Sequence, residues 1–442
     1  MGLKSGTMVL PANGHDICNY LARYGVANCQ IQAVLGISGR LDYDRLKRAF
    51  RLSVDAEPVF GCQFVEDEQP YWKRRDNIDD LEFCAFEEAE NPEDAIRKFI
   101  ERPLDMDNDP MVKAKLIRSW TDDILCIKVN HACCDGTGVK EYIRTLADIY
   151  SAMRNDGSCY IPESRIAGRK DQDRMFDNLG VDPESAWNPF QDAPWVPWPF
   201  PWKSYGDNDI TYTISRFTER EFRNIKKFAK KNGATINDLL LTAYYRSMFE
   251  LCKVPCGIPM DISSTIDLRR YLPGSRTNAI RNFSGGFTTR IPREQDESFK
   301  GTLYRIIYTV KAIMEKIPGL QNALGAERVE KMNFILLREY MKTLGELNET
   351  ANRRLVFGGG LCYPGLSNLG LISDSIIRFG KTAVTDAYII GPAVRMPGFL
   401  LLAGTYNNRM SLGAAYYLNS VSSEDVEKLL DKIRKELIEN CL

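Results

Sequence analysis

The sequence predicts a mixed α/β (α+β) protein of two lobes, each a mixed β-sheet flanked by helices. The chain has 442 residues, and single hydrophobic cores stop growing at about 250 to 300 residues, so a chain of this length divides. Strand-like and helix-like segments alternate on both sides of one proline-rich stretch, which is typical of sheets covered by helices. We place the first lobe at 1–165, a linker at 166–209 and the second lobe at 210–442.

Composition excludes several classes of function. Lys plus Arg number 58 and Asp plus Glu 59, for a formal charge of −1, so no bulk electrostatic attraction draws the chain to nucleic acid or an anionic membrane. No apolar stretch reaches the ~18 residues of a membrane span, and the N-terminus lacks the apolar core of a signal peptide. Twelve scattered cysteines and two histidines predict a reduced, cytoplasmic protein without a metal site.

The first lobe begins with a strand, a helix and a second strand. Residues 28–37 are largely apolar and predict a strand, apolar residues recur at helical spacing over 41–54, and 59–65 is again strand-like. Asn91 followed by a proline is a helix-start signal, because the asparagine caps free amides and proline has none. It predicts a helix over 92–101.

A conspicuous motif follows a predicted hairpin. The β-prone runs 111–120 and 124–130 are separated by a three-residue loop, which predicts two antiparallel strands. Residues 130–136 then read Asn-His-Ala-Cys-Cys-Asp-Gly. After Gly136, apolar residues at helical spacing predict a helix, with Thr137 as its cap. The motif therefore occupies a turn between a strand and a helix.

The motif offers an imidazole base in His131, a carboxylate in Asp135 and a glycine that permits a sharp turn. Two roles for Asp135 compete: it orients the imidazole as in a catalytic triad, or it anchors the loop to a distant arginine. Taken alone, His131 is better explained as a structural histidine in a core turn. A nucleophilic Cys133 or Cys134 is disfavoured, because residues two and three along one turn seldom point together with the base.

The linker is rich in proline and tryptophan, and its five prolines between 189 and 201 exclude helix and central strand. We interpret it as a packed connector, with a substrate lid as the alternative. Its tryptophans are Trp187, Trp195, Trp198 and Trp202. In the second lobe the pattern predicts strands over 210–217, 354–362, 386–390, 399–406 and 411–417, and helices over 219–231, from Thr235 onward, 303–316, 327–344 and 422–439.

Several segments, in order and spanning nearly the whole chain, resemble the chloramphenicol acetyltransferase-like acyltransferases. This superfamily includes nonribosomal peptide condensation domains, plant BAHD acyltransferases and alcohol acyltransferases. The similar segments are SGRLDYDRLKRAFRLSVDAEPVFGCQF, NHACCDG, GATINDLLLTAYY, STIDLRRYLPGSRTNAIRNFSGG, LSNLG and TYNNRMSLGAAYY. NHACCDG is similar to the family's His-His-x-x-x-Asp-Gly signature, with Asn130 in place of the first histidine. The BAHD Asp-Phe-Gly-Trp-Gly block has no clear counterpart, so the stand-alone alcohol acyltransferase-like branch is favoured.

The resemblance implies a pseudo-dimeric fold with an active-site tunnel between the lobes. It implies transfer of an acyl group from a thioester, of CoA or an acyl carrier protein, to a hydroxyl or amine. His131 would be the general base, with no covalent acyl-enzyme and no tightly bound cofactor. In the family the motif aspartate pairs with an arginine, which corresponds here to Arg269, so the resemblance favours the anchoring role of Asp135.

Three polar residues of the second lobe are candidate oxyanion or substrate contacts, namely Ser367, Asn368 and Asn282. Ser367 and Asn368 are equally explained as closing a strand end beside Gly370. The alternative functions are a stand-alone condensation-type enzyme that forms amides from carrier-protein thioesters, and a non-catalytic binding protein on the same fold.

Overall fold

The structure is a computed structural model that describes residues 8–153, 160–165, 171–188, 195–206, 208–355 and 360–441. The helices are α1 (Gly14–Leu21), α2 (Tyr43–Ala56), α3 (Pro92–Glu101), α4 (Gly136–Ala152), α5 (Asp171–Leu179), α6 (Pro183–Ala186), α7 (Glu219–Lys231), α8 (Ile236–Leu251), α9 (Phe299–Met314), α10 (Leu320–Glu330), α11 (Phe334–Leu355) and α12 (Ser423–Asn440). The strands are β1 (Val9–Pro11), β2 (Gln30–Ile37), β3 (Cys62–Val65), β4 (Tyr71–Arg74), β5 (Cys84–Glu88), β6 (Val112–Arg118), β7 (Asp123–Asn130), β8 (Trp198–Pro199), β9 (Ile210–Phe217), β10 (Pro259–Asp267), β11 (Ser284–Pro292), β12 (Leu361–Leu371), β13 (Arg378–Phe379), β14 (Thr382–Ile390), β15 (Gly398–Tyr406) and β16 (Arg409–Tyr417). Within these ranges no helix is both long and apolar enough to cross a membrane.

The first large sheet carries the motif. Its strands follow the order β13-β14-β2-β7-β6-β5, and neighbours are antiparallel except for β5 and β6. Alternate side chains of β2 and β7 pack with α2 and α4 in one apolar core, as expected when strand side chains alternate between two faces. Strand β7 is paired on both sides within this sheet, and its last residue, Asn130, directly precedes His131.

The second large sheet has the order β11-β10-β12-β15-β16-β9, and β8 pairs with β12. The pairs β10–β12 and β12–β15 are parallel. Helices α8 and α12 pack on its apolar face. The mixed two-lobed architecture that the sequence predicts is confirmed.

Sheet membership does not follow the predicted boundary at residue 210. Strand β14 belongs to the second-lobe part of the chain, yet it pairs with β2 of the first sheet from Val384–Ile37 to Ile390–Gln32. A further apolar cluster, which includes Val34, Tyr212 and Ala415, joins the two sheets. The lobes are thus tied together by backbone hydrogen bonds as well as by side-chain packing.

Several observed elements differ from the predicted ones. The helix predicted over 327–344 is two helices, because the Asn333 side chain accepts a hydrogen bond from the Leu336 amide at 3.2 Å and begins α11 anew. The strand predicted over 354–362 begins only at Leu361, since α11 reaches Leu355; residues 356–359 lie outside the described ranges. The cap of α4 is Asp135 and not Thr137.

Two tryptophans of the linker are buried against the second lobe. The Trp198 indole donates to the carbonyl of Asp261 at 2.6 Å, and the Trp202 indole donates to the carbonyl of Leu361 at 2.9 Å. Satisfying the indole N–H is what allows such large side chains to be buried. These two residues therefore act as a packed connector, whereas 189–194 lie outside the described ranges.

Candidate active site

The turn after β7 holds His131 by its backbone. Its amide donates to the carbonyl of Cys29 at 2.8 Å, and the Asn130 side chain accepts from the amide of Ala132 at 2.9 Å. The ring lies deep between the lobes, yet part of the residue is still accessible to solvent. The backbone of His131 is therefore fixed in place by the turn.

Asp135 anchors this turn. One carboxylate oxygen accepts from the amide of Gly138 at 2.8 Å and caps α4. The other accepts from Nη1 of Arg269 at 2.9 Å and from the amide of Phe283 at 2.7 Å. Burial opposes ionisation, but the charge and hydrogen bonds of Arg269 and the two amides outweigh it and lower the pKa of Asp135. This is the contact expected of an anchor.

Arg269 is itself buried and serves several partners. Besides Asp135, its guanidinium reaches Asp267 at 3.2 Å and donates to the carbonyl of Arg281 at 2.9 Å. Burial alone would lower its pKa, but the neighbouring carboxylates raise that pKa above the usual value. A permanent cation is thus enclosed at the junction of the lobes, where it holds the motif turn to the chain that leads into β11.

Asn282 lies directly against the motif histidine. Its Nδ2 donates to the backbone carbonyls of His131 at 2.9 Å and of Ala132 at 2.8 Å, while its Oδ1 lies 3.1 Å from Nδ1 of His131. The sequence suggested an oxyanion or substrate contact for this residue. Both amide hydrogens are directed at carbonyls instead, which leaves none for an oxyanion. The two residues are 151 positions apart, so no local signal could reveal the contact.

A second buried carboxylate, which the sequence analysis missed, holds the same segment. Glu57, which follows α2, accepts from the amide of Ile280 at 3.2 Å and from the Arg165 guanidinium at 3.1 Å. Burial raises its pKa to about 7, against the opposing influence of Arg165. Glu57 and Asp135 therefore bind backbone amides on either side of Asn282, those of Ile280 and Phe283. The pKa of Glu57 is raised, whereas the pKa of Asp135 is lowered.

We expect Glu57→Gln to remove one component of the pH dependence of stability. A carboxyl whose pKa is raised in the folded state stabilises the fold below the unfolded value, 4.5, and loses that contribution as pH rises through about 7. The free energy of unfolding of the wild type should therefore fall by about 3 kcal/mol relative to the Gln variant over this range. Urea unfolding at pH 5 and pH 8 measures the difference; parallel pH profiles would contradict it.

Strand β12 approaches the motif from the second lobe. A Cβ added at Gly136 would lie 2.5 Å from Cδ2 of Leu369, so a larger residue here would force the Leu369 side chain to shift. Lys140 of α4 also donates to the carbonyl of Leu369 at 2.8 Å. The glycine of the motif thus serves close packing between lobes as well as the turn, and it brings the end of β12 to the motif helix.

The two polar candidates on β12 differ in their bonding. Ser367 is 8% exposed and its Oγ accepts from the hydroxyl of Thr265 at 3.0 Å, which leaves its own hydrogen to donate. The Asn368 side chain accepts from the amide of Gly370 at 3.0 Å, which is the strand-end arrangement. Ser367 is therefore the better placed of the two to donate to a ligand.

The electrostatics favour a neutral imidazole at His131. Burial lowers its pKa, while its own carbonyl, the charge of Asp135 and the Asn282 side chain partly oppose that effect. The other histidine, His15, is buried edge-on to Phe283 with ring centroids 6.0 Å apart, and burial lowers its pKa to about 4. His131 is therefore available as a base near pH 7.

Neighbouring groups offer little support for other chemistries. Cys133 and Cys134 are buried, and burial raises the pKa of the Cys134 thiol well above its usual value, which disfavours a thiolate nucleophile. Among the described residues, no group of three or more His, Cys, Asp and Glu side chains could hold a metal ion.

Comparison with known proteins supports the resemblance. Residues 25–165 match the model of the Condensation domain family. Bacitracin synthase 2 of Bacillus licheniformis is 27% identical over 239 residues, which are 47% of this chain, and the chain spans 8% of that protein. The first condensation domain of the calcium-dependent antibiotic synthetase, solved with a substrate analogue, aligns with a TM-score of 0.64 and 15% identity over 100% of this chain and 97% of that one.

A stand-alone enzyme has the same fold. TRI3 trichothecene 15-O-acetyltransferase from Fusarium sporotrichioides aligns with a TM-score of 0.67 and 13% identity, over 98% of this chain and 97% of that one. At such identities the solved structures establish the fold alone. Residues 25–165 are thus similar in sequence to the Condensation domain family, and the described part of the chain has the fold shared by condensation domains and TRI3.

Proposed function

We propose that this protein transfers an acyl group from a thioester to an amine or hydroxyl, with His131 as the general base. The observation that carries the proposal is the placement of His131 in the turn that Asp135 anchors, with its Nδ1 3.1 Å from Oδ1 of Asn282. Burial lowers the pKa of His131, which favours the neutral imidazole. A base with a pKa near or below the working pH is what deprotonation of an acceptor requires. No covalent acyl-enzyme and no resident cofactor take part.

The reaction proceeds by direct attack. The acceptor nitrogen or oxygen forms a bond to the thioester carbonyl carbon while His131 takes its proton, which gives a tetrahedral oxyanion. The carbon–sulfur bond then breaks, and the thiolate leaves and recovers a proton from the imidazolium. Asp135, Gly136 and Arg269 serve as structural support, because their contacts are made with each other and with the backbone.

Among the described residues the Ser367 hydroxyl accepts from Thr265 and has no described acceptor of its own, which makes Ser367 the candidate donor to the oxyanion. Ser367→Ala should lower kcat by about 10²-fold with little effect on KM, because the bond forms chiefly in the transition state. Thr265→Val removes the hydroxyl that donates to Ser367 and should have a smaller effect. Steady-state kinetics of both variants test the assignment; an unchanged kcat for Ser367→Ala would assign that residue to the strand alone.

The donor is the thioester of CoA or of an acyl carrier protein. The condensation-domain match and the synthetase relative favour a carrier-protein donor and an amide product, whereas the fold shared with TRI3 accommodates a small-molecule alcohol. The cysteines of the described residues form no disulfide, which accords with a reducing, cytoplasmic location.

The test is thioester consumption by the purified protein. Acyl-CoA and acyl carrier-protein donors are each incubated with a panel of amines and alcohols, and product is measured by mass spectrometry. Thiol-reactive dyes are unsuitable because Cys18 and Cys256 are exposed. We expect product with at least one pair, and the preferred donor decides between condensation-type and CoA-dependent transfer. If no pair yields product, the chain is better assigned as a non-catalytic binding protein.

A further inference from the structure

A cleft between the two large sheets lies away from the motif. It offers about 470 Å³, which is within the range of clefts that bind small molecules. Its walls come from β2, β7 and β14 of the first sheet, from β9 of the second sheet, and from α3 and α12. Ile124, near the start of β7, lines it, whereas His131 follows the end of that strand, roughly 20 Å away at the usual rise per residue. The cleft is therefore separate from the proposed reaction site.

Gly36 leaves open space on the wall formed by β2, so we call this the Gly36 cleft. The residue lies inside the strand, between Leu35 and Ile37, where a glycine weakens a sheet because it adds no packing. A Cβ built on Gly36 would lie 3.5 Å from Cβ of Asp386, an ordinary contact distance. Since no close neighbour requires a glycine there, the unfilled space is what is expected where a ligand approaches a strand.

A β-bulge in β14 directs polar side chains into the same cleft. The pairing of β14 with β2 shifts by one residue between Val384 and Asp386. Val384 packs in the core of the first lobe, whereas Asp386 lines the cleft, although residues two apart on a regular strand share a face. Bulges that redirect side chains in this way are common beside functional sites.

Both arginines that line the cleft are matched by neighbouring carboxylates. Arg97 of α3 forms an ion pair with Glu101 at 3.1 Å and also donates to the hydroxyl of Thr211 at 3.0 Å. Arg216 of β9 forms an ion pair with Asp386. The two guanidinium charges are therefore already balanced, and they add little attraction for an anion.

The remaining groups of the cleft favour a cation. Glu93 of α3 and Glu427 of α12 line it and form no ion pair with the residues that the structure describes. Burial raises the pKa of both Tyr212 and Tyr388, so neither tyrosine carries a charge near neutral pH. Apolar side chains complete the lining, namely Val34, Ile96, Ile124 and Ile214. The cleft thus combines two unmatched carboxylates with an apolar surface.

We propose that the Gly36 cleft is a second binding site, for an organic ammonium ion with an apolar body. The ammonium group faces the carboxylates of Glu93 and Glu427, and the body covers Gly36 and the apolar lining. Because both carboxylates are exposed to solvent, apolar contact supplies most of the affinity and charge supplies the selectivity. This site does not depend on acyl transfer, so it is tested independently of the function proposed above.

Three probes that share one body and differ in the head group test the role of charge. Phenylpropylamine, phenylpropanol and phenylpropanoate are each titrated into the whole chain and followed by ligand-observed NMR. We expect the amine to bind about tenfold more tightly than the alcohol, as two exposed charge contacts would give, and the carboxylate to bind most weakly. Equal affinity for amine and alcohol, tighter binding of the carboxylate, or no binding of any probe would each overturn the proposal.

Variants place the binding in the cleft. Gly36→Leu fills the space beside β2 and should abolish amine binding. Glu93→Gln combined with Glu427→Gln should weaken amine binding about tenfold and leave the alcohol unchanged. The matched control is Glu424→Gln, which removes an exposed charge from the same helix, where it pairs with Lys428 at 2.7 Å. It should leave both affinities as they are.

Thermal unfolding shows whether each variant is folded. If Gly36→Leu does not fold, the double Gln variant still decides the question, since both of its changed side chains are exposed. An unchanged amine affinity in either folded variant would place the amine elsewhere, such as beside His131 as an acceptor, and would contradict the assignment of this cleft.

Discussion

His131→Ala is expected to lower kcat/KM for acyl transfer by about 10² to 10⁴-fold, the usual contribution of a positioned general base. The fold should survive, since the bonds from the His131 amide to Cys29 and from the Ala132 amide to Asn130 hold the turn without using the ring. His15→Gln is the matched control, because it changes the only other histidine and should retain turnover. Product formation by mass spectrometry measures both variants. Equal turnover by wild type and His131→Ala would exclude His131 as the base.

The pH profile provides a second measure of the same role. Because burial lowers the pKa of His131, the acid limb of kcat/KM should lie below pH 6.5, where the imidazole becomes protonated and can no longer accept a proton. The titration of His15 at about pH 4 lies further towards acid. An acid limb above pH 7 would point to a base other than His131.

Arg269→Ala is expected to destabilise the protein by about 3 to 5 kcal/mol, because it leaves the buried carboxylate of Asp135 without its cation. Turnover should fall as well, since Asp135 also binds the amide of Phe283, next to Asn282. Asp135→Ala should have a smaller effect on stability, because Arg269 retains Asp267 and the carbonyl of Arg281. Urea unfolding and turnover of both variants test the order.

The double variant and an exposed control complete this test. Removing both Asp135 and Arg269 should cost less than the sum of the single changes, since neither charge is then left alone. Arg223→Ala breaks an exposed pair with Glu219 and should change stability by about 0.5 kcal/mol or less. Additive losses in the double variant would show that the buried pair does not act as a unit.

Lowering the pH should reduce the contribution of Asp135 to the free energy of unfolding. The pKa of Asp135 is depressed in the folded state, so its contribution to stability is present above the unfolded value of about 3.9 and is lost as pH falls through the folded value. Glu57 contributes in the opposite direction. The stabilising contribution of Asp135 is thus present at higher pH and that of Glu57 at lower pH. A substitution of either residue removes its own part of the pH dependence of stability.

Local sequence signals were sufficient where neighbouring residues alone decide the structure. The helices α3 and α7 and the strand β9 have the predicted bounds, because a cap or the apolar periodicity acts over a few residues. Local signals gave the wrong residue where a side chain also has partners that are distant in the sequence. Asp135 is the cap of α4 rather than Thr137, since its carboxylate also binds Arg269 and Phe283 and is thereby held at the helix start.

By itself the sequence determined the mixed α/β class, the scarcity of histidine and the strand-to-helix turn in which His131 lies. Resemblance to a family, rather than spacing, pointed to Arg269. Only the tertiary structure decided that β14 joins the first sheet, that Glu57 binds the Ile280 amide and that Asn282 faces the imidazole. These contacts join residues more than a hundred positions apart, and their hydrogen bonds exist only once both lobes have folded around the turn.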